Sequence, residues 1–444
     1  MAATGRTLGV ALVGCGTVGG AAATLMLRDQ ALLSERSGVQ LSLRHIVDIN
    51  FDHARQLGLD ESLFQRDIAA ALKDPHVQVV VELVGGIDFP RQAITRALQA
   101  GKHVVTANKA LLAHHGAELM ALARSKGVCI AFEASCAGGI PIIRALTDGL
   151  IANRIDALYG IVNGTCNYIL TEMTQHGRSY ATVLKAAQKQ GLAEADPTLD
   201  VAGTDSAHKL AILASLAFGR QVKFADIPTS GIDKLQQCDI AYGLELGYVV
   251  KLLAIAQRHE DGLSLRVRPA FIPRSHPLAW VSGPFNAVSV YGHATGHTMY
   301  YGRGAGDSPT ASAVVADLTG VALGTVPLAF EQLGVWPDRC PPARQLPIEE
   351  VRSRYYLRIM AEDAPGVLGQ VSAILGDQSI SIRSVLQHEA PEGDEPAPGV
   401  PVIITTHRAQ EGSVRAALAK VDALKVVRGH TTCIPIVDEH PEPL

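Results

Sequence analysis

From Leu8 to about Phe132, short apolar, β-rich runs alternate with amphipathic stretches of helix length. The runs are LGVALVG, LSLRHIVD, VQVVVELVG, KHVVTA and VCIAF, and the segments between them are rich in Ala, Leu, Gln and Arg. That rhythm predicts βαβ units and a parallel sheet covered on both faces, with right-handed crossovers. From about Ser135 to Gly320 it lengthens into helical patterns such as Tyr180 to Gln190 and Asp205 to Phe218, joined by glycine-rich connections. A second domain of α+β type is expected there. Five prolines (Pro327, Pro337, Pro341, Pro342, Pro347) then predict a stiff linker without long regular structure. Beyond it come YYLRIMAE, a DAPG turn, a helix pattern from Val367 to Leu375, SIRSVLQHE, a disordered-looking PEGDEPAPG loop, VPVIITTH, a helix from Glu411 to Val421 and ALKVVRG. These spell a compact βαββαβ unit of ferredoxin-like type. The expected boundaries are 1–134 for the Rossmann-type α/β domain, completed by a helix around 308–320, then 135–325, a linker at 326–350, and 351–436.

The length of 444 residues agrees with about three domains at roughly 150 residues each. Charged residues make up 18% and the 39 basic and 43 acidic side chains nearly cancel, leaving −4. Nothing in that balance favours nucleic acid or an anionic membrane surface, so the expected partner is a small molecule. Seven scattered cysteines without a CxxC pair argue against a disulfide framework or a zinc site. With no cleavable leader pattern and no apolar run of about 18 residues, a cytoplasmic protein is expected.

Gly14-Cys15-Gly16-Thr17-Val18-Gly19 follows the first strand and opens a helix expected to run to about Leu33. Glycines in that context permit a tight turn, close approach to a pyrophosphate and helix-to-strand contact, while the helix start supplies N–H groups and a positive dipole. Asp48 closes the second strand, where an acid favours a free ribose 2′-hydroxyl and hence NAD over NADP. A solvated strand end is the alternative, and the cofactor choice stays open. Gly85-Gly86 and Thr106-Ala107-Asn108-Lys109 end the third and fourth strands, at the edge where doubly wound sheets bind ligands. Lys109 is thus either aimed at the cofactor crevice or an exposed helix-start lysine. Between Glu194 and Lys209, four carboxylates (Glu194, Asp196, Asp200, Asp205) precede one lysine. Asp205 and Lys209 share a helix face at i,i+4, which fits either a tuned lysine or a surface pair on a capped helix. Cys136 is a possible thiol nucleophile of an acylating aldehyde dehydrogenase, but no paired base accompanies it. The histidines show no metal-ligand spacing.

Several of these segments together resemble homoserine dehydrogenase of the bacterial type with a C-terminal ACT domain. The resemblance covers nearly the whole chain and rests on GCGTVG, TANKALLA from Thr106, NGTCNYIL from Asn163, GLAEADPTLDVAGTDSAHKLAIL and GRGAGDSPTASAVVADL. It implies reversible oxidation of L-homoserine to L-aspartate 4-semialdehyde with NAD or NADP. It assigns proton transfer to Lys209, a place beside nicotinamide and substrate to Lys109, and substrate binding or orientation of Lys209 to Glu194, Asp200 and Asp205. Gly85, Thr106, Gly191 and Gly306 fall where the family touches its cofactor. Glu133, Cys136, Gly138 and Ile140 match a sodium site made of one carboxylate and backbone carbonyls, which makes Cys136 a carbonyl donor. Asp307 adds a negative charge near the phosphates, which would weaken NADP. In the ACT-like unit, Asp363, Gly366 and Val367 match an amino-acid effector site, with threonine the natural candidate, and the insertion from Pro391 to Gly399 would alter or abolish that binding. The resemblance also implies a homodimer or homotetramer. A non-catalytic amino-acid sensor is the contrasting alternative.

Overall fold

A computed structural model describes residues 6–388 and 399–441; most of the PEGDEPAPG loop, residues 391–398, lies outside them. Six strands, β1 (Arg6–Val13), β2 (Val39–Val47), β3 (Phe64–Gln65), β4 (Val79–Glu82), β5 (His103–Thr106) and β6 (Ile130–Ala131), form one sheet in the order β3-β2-β1-β4-β5-β6. Every pairing is parallel. β1 is central and its last six residues are buried, as a strand covered by helices on both faces requires. The order reverses between β1 and β4, so their carboxyl ends frame the crevice where such sheets take ligands. The first helix is shorter than expected: Thr17–Arg28 ends at Asp29, whose carboxylate holds the Arg28 guanidinium, and a second helix, Gln30–Ser37, follows. Helix Asp307–Leu323 returns from the far side of the chain to pack on Thr17–Arg28.

The middle segment is more strand-rich than its sequence suggests. β7 (Ile155–Ile161), β8 (Tyr248–His259), β9 (Gly262–Pro273), β10 (Phe285–Gly292) and β11 (Gly296–Arg303) pair antiparallel in the order β11-β10-β7-β8-β9. The hairpin β8-β9 was hidden because β8 is almost wholly buried, and a continuous apolar run carries no period-2 signal. Helix Thr204–Phe218, buried at 13 of its 15 positions, lies between this sheet and helix Lys109–Ser125.

The C-terminal unit has β12 (Arg352–Ala361), helix Val367–Asp377, β13 (Ile382–Gln387), β14 (Val400–Thr406), the short β15 (Ala409–Gln410), helix Glu411–Asp422 and β16 (Thr432–Ile436). Its antiparallel core order is β16-β12-β14-β13, with β15 on β12. The last strand is not ALKVVRG, as expected, but Thr432–Ile436, where Pro435 breaks the sequence signature of a strand; Val427 instead packs into the small core. β16 also pairs parallel with β9 at Ile436 and Phe271, so the middle and C-terminal sheets are continuous. Alternation along β12 divides its work. Tyr355, Leu357 and Ile359 face the two helices, whereas Tyr356 and Arg358 face the middle domain and bond Asp239.

The proline-rich stretch is not simply a linker. It begins within helix Thr325–Gln332, and Arg124 clamps it by bonding Asp338 and the Phe330 carbonyl. Among the described residues no single helix is long and apolar enough to cross a membrane.

Candidate active site

At the carboxyl end of β1, Gly14 turns the chain at φ +92°, a left-handed conformation that side chains resist. A Cβ at Gly19 would stand 2.0 Å from the Gly14 carbonyl oxygen, so the helix closes on the strand only through glycine. Gly16 is the helix N-cap, with no side-chain cap and no acid in the first turn. The N–H groups of Thr17, Val18 and Gly19 therefore lack intrahelical acceptors and form an anion seat suited to a pyrophosphate. Asp48 is more than a strand end: it accepts the Cys15 N–H at 2.6 Å, and those of Ile49 and Asn50 at 2.7 and 3.1 Å. Its carboxylate fastens the glycine loop to β2.

Glu82 was missed by sequence reasoning, although it is the one charge in VQVVVELVG. It is 1% exposed, accepts the N–H groups of Val84 and Gly85, and takes the Thr106 hydroxyl at 2.7 Å. Thr106 accepts the Asn108 N–H, and Asn108 donates to the Gly86 carbonyl while capping helix Lys109–Ser125. The Gly85 and Thr106 turns are thus held by one buried network, and the Thr106 hydroxyl is spent inside it.

Lys109, at the start of that helix, meets helix Thr204–Phe218. Asp205 and Lys209 share a face as their spacing predicts, with Nζ to Oδ2 at 2.7 Å, and Lys109 Nζ reaches the other oxygen of Asp205 at 3.0 Å. Lys209 also donates to the Val162 carbonyl at 2.7 Å. Asn163, a second residue whose role was not read from the sequence, donates to Asp205 at 2.9 Å and Asp200 at 2.7 Å. As N-cap of helix Gly164–His176 it also accepts the Cys166 N–H, and that capping position was the available signal. The side chains of Lys209 and Asp205 are 9% and 7% exposed, that of Lys109 42%. Burial alone would raise the Asp205 carboxyl, but the Lys209 and Lys109 ammonium groups outweigh it and hold the acid well below the usual carboxylate range. Asp205 in turn raises the Lys109 ammonium above the ordinary lysine value. One permanent anion thus sits between an inner and an outer cation, an arrangement able to hand a proton to an oxygen or take one away.

The remaining candidates lie around this cluster. Glu194 is exposed, and among the described residues no hydrogen bond ties its carboxylate to the lysines; its segment is fixed by Thr165, whose hydroxyl donates to the Leu192 carbonyl. Gly191, at φ +71°, turns the chain after helix Tyr180–Lys189. Gly306, at φ +118°, caps helix Asp307–Leu323, and Asp307 there accepts the Ser308 N–H. A shallow cavity between that helix and Thr17–Arg28 is lined by both Thr17 and Asp307.

Cys136 is fully buried, and burial pushes its thiol up to about 12. Among the described residues its sulfur hydrogen-bonds only the Ser135 hydroxyl and the Lys209 carbonyl, and full burial closes it off from a carbonyl substrate. Cys136→Ser is expected to keep turnover within a few-fold of wild type, whereas a thiol-nucleophile enzyme would be inactivated. Around it, Ala137 (φ +53°) and Gly138 (φ +21°) hold the chain in an unusual conformation. The carbonyls of Cys136 and Gly138 accept no hydrogen bond from the described residues although both residues are buried, which suits a hard cation. The Ile140 carbonyl accepts the Ile142 N–H, and the Glu133 carboxylate takes the Ile143 and Arg144 N–H groups. No cluster of three or more His, Cys, Asp or Glu side chains is placed to hold a metal among the described residues. In the C-terminal unit Gly366, at φ +88°, caps a helix with no side-chain cap; Asp363 is exposed and Val367 buried.

Residues 14–133 match the family described as homoserine dehydrogenase, NAD binding domain, residues 141–319 match homoserine dehydrogenase, and residues 355–423 match the ACT domain. A homoserine dehydrogenase of Pseudomonas aeruginosa is 46% identical over 428 residues, covering 95% of this chain and 96% of that one. The chain belongs to the homoserine dehydrogenase family. The homoserine dehydrogenase of Neisseria gonorrhoeae is 42% identical, covering 98% of this chain and all of its own. The crystal structure of a homoserine dehydrogenase from Thiobacillus denitrificans superposes with a TM-score of 0.91 at 44% identity, covering 98% of this chain and 99% of that one. This chain is accordingly an NAD(P)-dependent oxidoreductase acting on a CH–OH group, which interconverts homoserine and aspartate 4-semialdehyde, with an ACT domain that points to amino-acid regulation. The sensor and acylating alternatives are not favoured.

Proposed function

We propose that Lys209 moves the proton of the reaction and that Asp205 sets its position. Asp205 holds Lys209 and Lys109 in one ion cluster, so an alcohol oxygen at the mouth of the cluster meets Lys109 first and the Lys209 ammonium behind it. The nicotinamide, when bound, accepts or returns the hydride. In reduction of the aldehyde the Lys209 ammonium protonates the new alkoxide; in oxidation the Lys209 amine removes the hydroxyl proton. Asn163 keeps Asp200 and Asp205 aligned, and Glu194 binds the substrate ammonium. The observation that carries this reading is the Lys209–Asp205–Lys109 bridge at the junction of the two domains, buried at Lys209 and Asp205 and open at Lys109.

Glu194→Gln is expected to raise KM for homoserine with kcat little changed, because a neutral amide cannot offset the ammonium charge. Steady-state saturation curves check this, and an unaltered KM contradicts the assignment.

The glycine loop, Asp48, Gly85, Thr106, Gly191 and Gly306 form the proposed dinucleotide cradle. An acid at the end of β2 favours NAD, while the hyperthermophilic archaeal relative, 25% identical with a TM-score of 0.59, is a complex with NADPH. The loop around Cys136 and Gly138 is the proposed sodium site, and the start of helix Val367–Asp377, with Asp363 and Gly366, the effector site, with threonine as first candidate. The protein acts as a homodimer or homotetramer, and its seven free thiols suit a reducing cytoplasm. Absorbance of NADH and NADPH followed with homoserine, with and without threonine and sodium, tests these choices together. No absorbance change with either cofactor contradicts the reading.

A further inference from the structure

Three arginines near the seam between the catalytic and ACT sheets have carboxylate partners. Arg358 bonds Asp239 at 2.6 Å, Arg354 bonds Asp438 at 2.7 Å and Arg268 bonds Glu411 at 2.6 Å. Arg266 on β9 makes no ion pair among the described residues, although it is 3% exposed. Its guanidinium donates only to the uncharged oxygens of Gln257, at 3.0 Å, and Ser264, at 3.3 Å. Arginine cannot shed its charge at working pH and carries five donors, so most of its hydrogen-bonding capacity is unmet, and the Glu411 carboxylate, bonded to Arg268, acts on it only from a distance.

Tyr159 stands in the same cross-strand row, because Tyr159 pairs with Ile255 and Ile255 with Arg266. Its oxygen accepts the Gln257 amide at 2.9 Å, and its own proton has no acceptor among the described residues. It is 1% exposed. A third donor, Arg354 Nε, is buried without a partner. All three residues line one cavity of about 540 Å³ beside Ile436 and Val437, within the ordinary size range of small-ligand sites. The acids on its wall do not answer Arg266: Asp438 serves Arg354, Glu439 meets the Tyr291 hydroxyl, and Glu260, Asp261 and Glu350 are exposed at the rim.

We propose that this cavity binds a small anion, a carboxylate or a phosphate, with one oxygen on the Arg266 guanidinium and another taking the Tyr159 hydroxyl proton. The site is separate from the dinucleotide crevice and from the DAPG turn. It lies where β16 joins the two sheets, so an occupant bridges the catalytic and regulatory halves.

The test uses the full chain with its dinucleotide site saturated, so that phosphate cannot report on that site. Calorimetric titration with inorganic phosphate and, separately, with succinate distinguishes the two sources of anionic oxygen. Saturable binding of at least one is expected, weakened tenfold or more by Arg266→Met and several-fold by Tyr159→Phe. Ligand-free R266M should melt at or above wild type, because replacing an uncompensated buried charge by an apolar side chain of similar length is neutral or stabilising. The proposal is overturned if neither anion binds saturably, if both variants bind like wild type, or if R266M melts well below wild type or fails to fold. The last outcome would make the guanidinium a structural group.

Discussion

Lys209→Ala is expected to lower kcat by about 10²–10⁴-fold, the usual contribution of a positioned general acid or base, equal to roughly 3–5 kcal/mol of transition-state stabilisation. Cofactor affinity should be nearly unchanged, since Lys209 is buried in the cluster and touches Val162 and Asp205, not the glycine loop. Folding should survive the substitution, because Asp205 keeps Lys109 and Asn163 as partners. The loss would therefore be chemical and not a collapse of the site. Lys109→Ala is the informative companion. Lys109 is half exposed at the mouth of the cluster, so its loss should affect KM more than the loss of Lys209 does. A larger fall in kcat for K109A than for K209A would exchange the two roles.

The second large effect is on the attachment of the ACT domain. Asp239, 1% exposed, accepts Arg358 at 2.6 and 3.0 Å and the Tyr356 hydroxyl at 3.0 Å. Asp239→Leu leaves the Arg358 charge buried beside an apolar group, and breaking such a pair from one side costs about 3–5 kcal/mol. Because the chain has several domains, the loss should appear as an earlier first transition in denaturant and not as one shifted curve. The double variant D239L/R358M removes both charges and should recover most of the loss. A single-variant cost below about 1 kcal/mol, the range of exposed pairs, would show that the seam does not depend on this contact. The same helix, Gln237–Glu245, touches helix Gly164–His176, whose N-cap is Asn163, at its far end, where Gln237 donates to the Met173 carbonyl. D239L should therefore also weaken any threonine effect on turnover.

Local chemistry was the legible part of this chain. The glycine loop declares itself because its spacing encodes a strand, a turn and a helix start, and the Asp205–Lys209 pair because i,i+4 positions share a face. What stayed hidden depends on distant segments. Glu82 organises the Gly85 and Thr106 turns from the end of a strand, and Asn163 joins Asp200 to Asp205 from more than 35 residues away. Lys109 is placed by helix Thr204–Phe218, whose Asp205 meets it from almost a hundred residues away. The last strand was misplaced because Pro435 disguises it, while the apolar residues of ALKVVRG imitate a strand but include Val427 of the small core. Continuity of the two sheets rests on the pairing of Ile436 with Phe271, which no local pattern encodes.

In the proposed reaction the Lys209 amine faces the reacting oxygen. A crystal structure with homoserine and the oxidised dinucleotide measures this directly. Lys209 Nζ is expected within about 2.7–3.2 Å of the homoserine hydroxyl, with Asp205 still bridging to Lys109. A hydroxyl held by another group, with Lys209 remaining only on Val162 and Asp205, would contradict it.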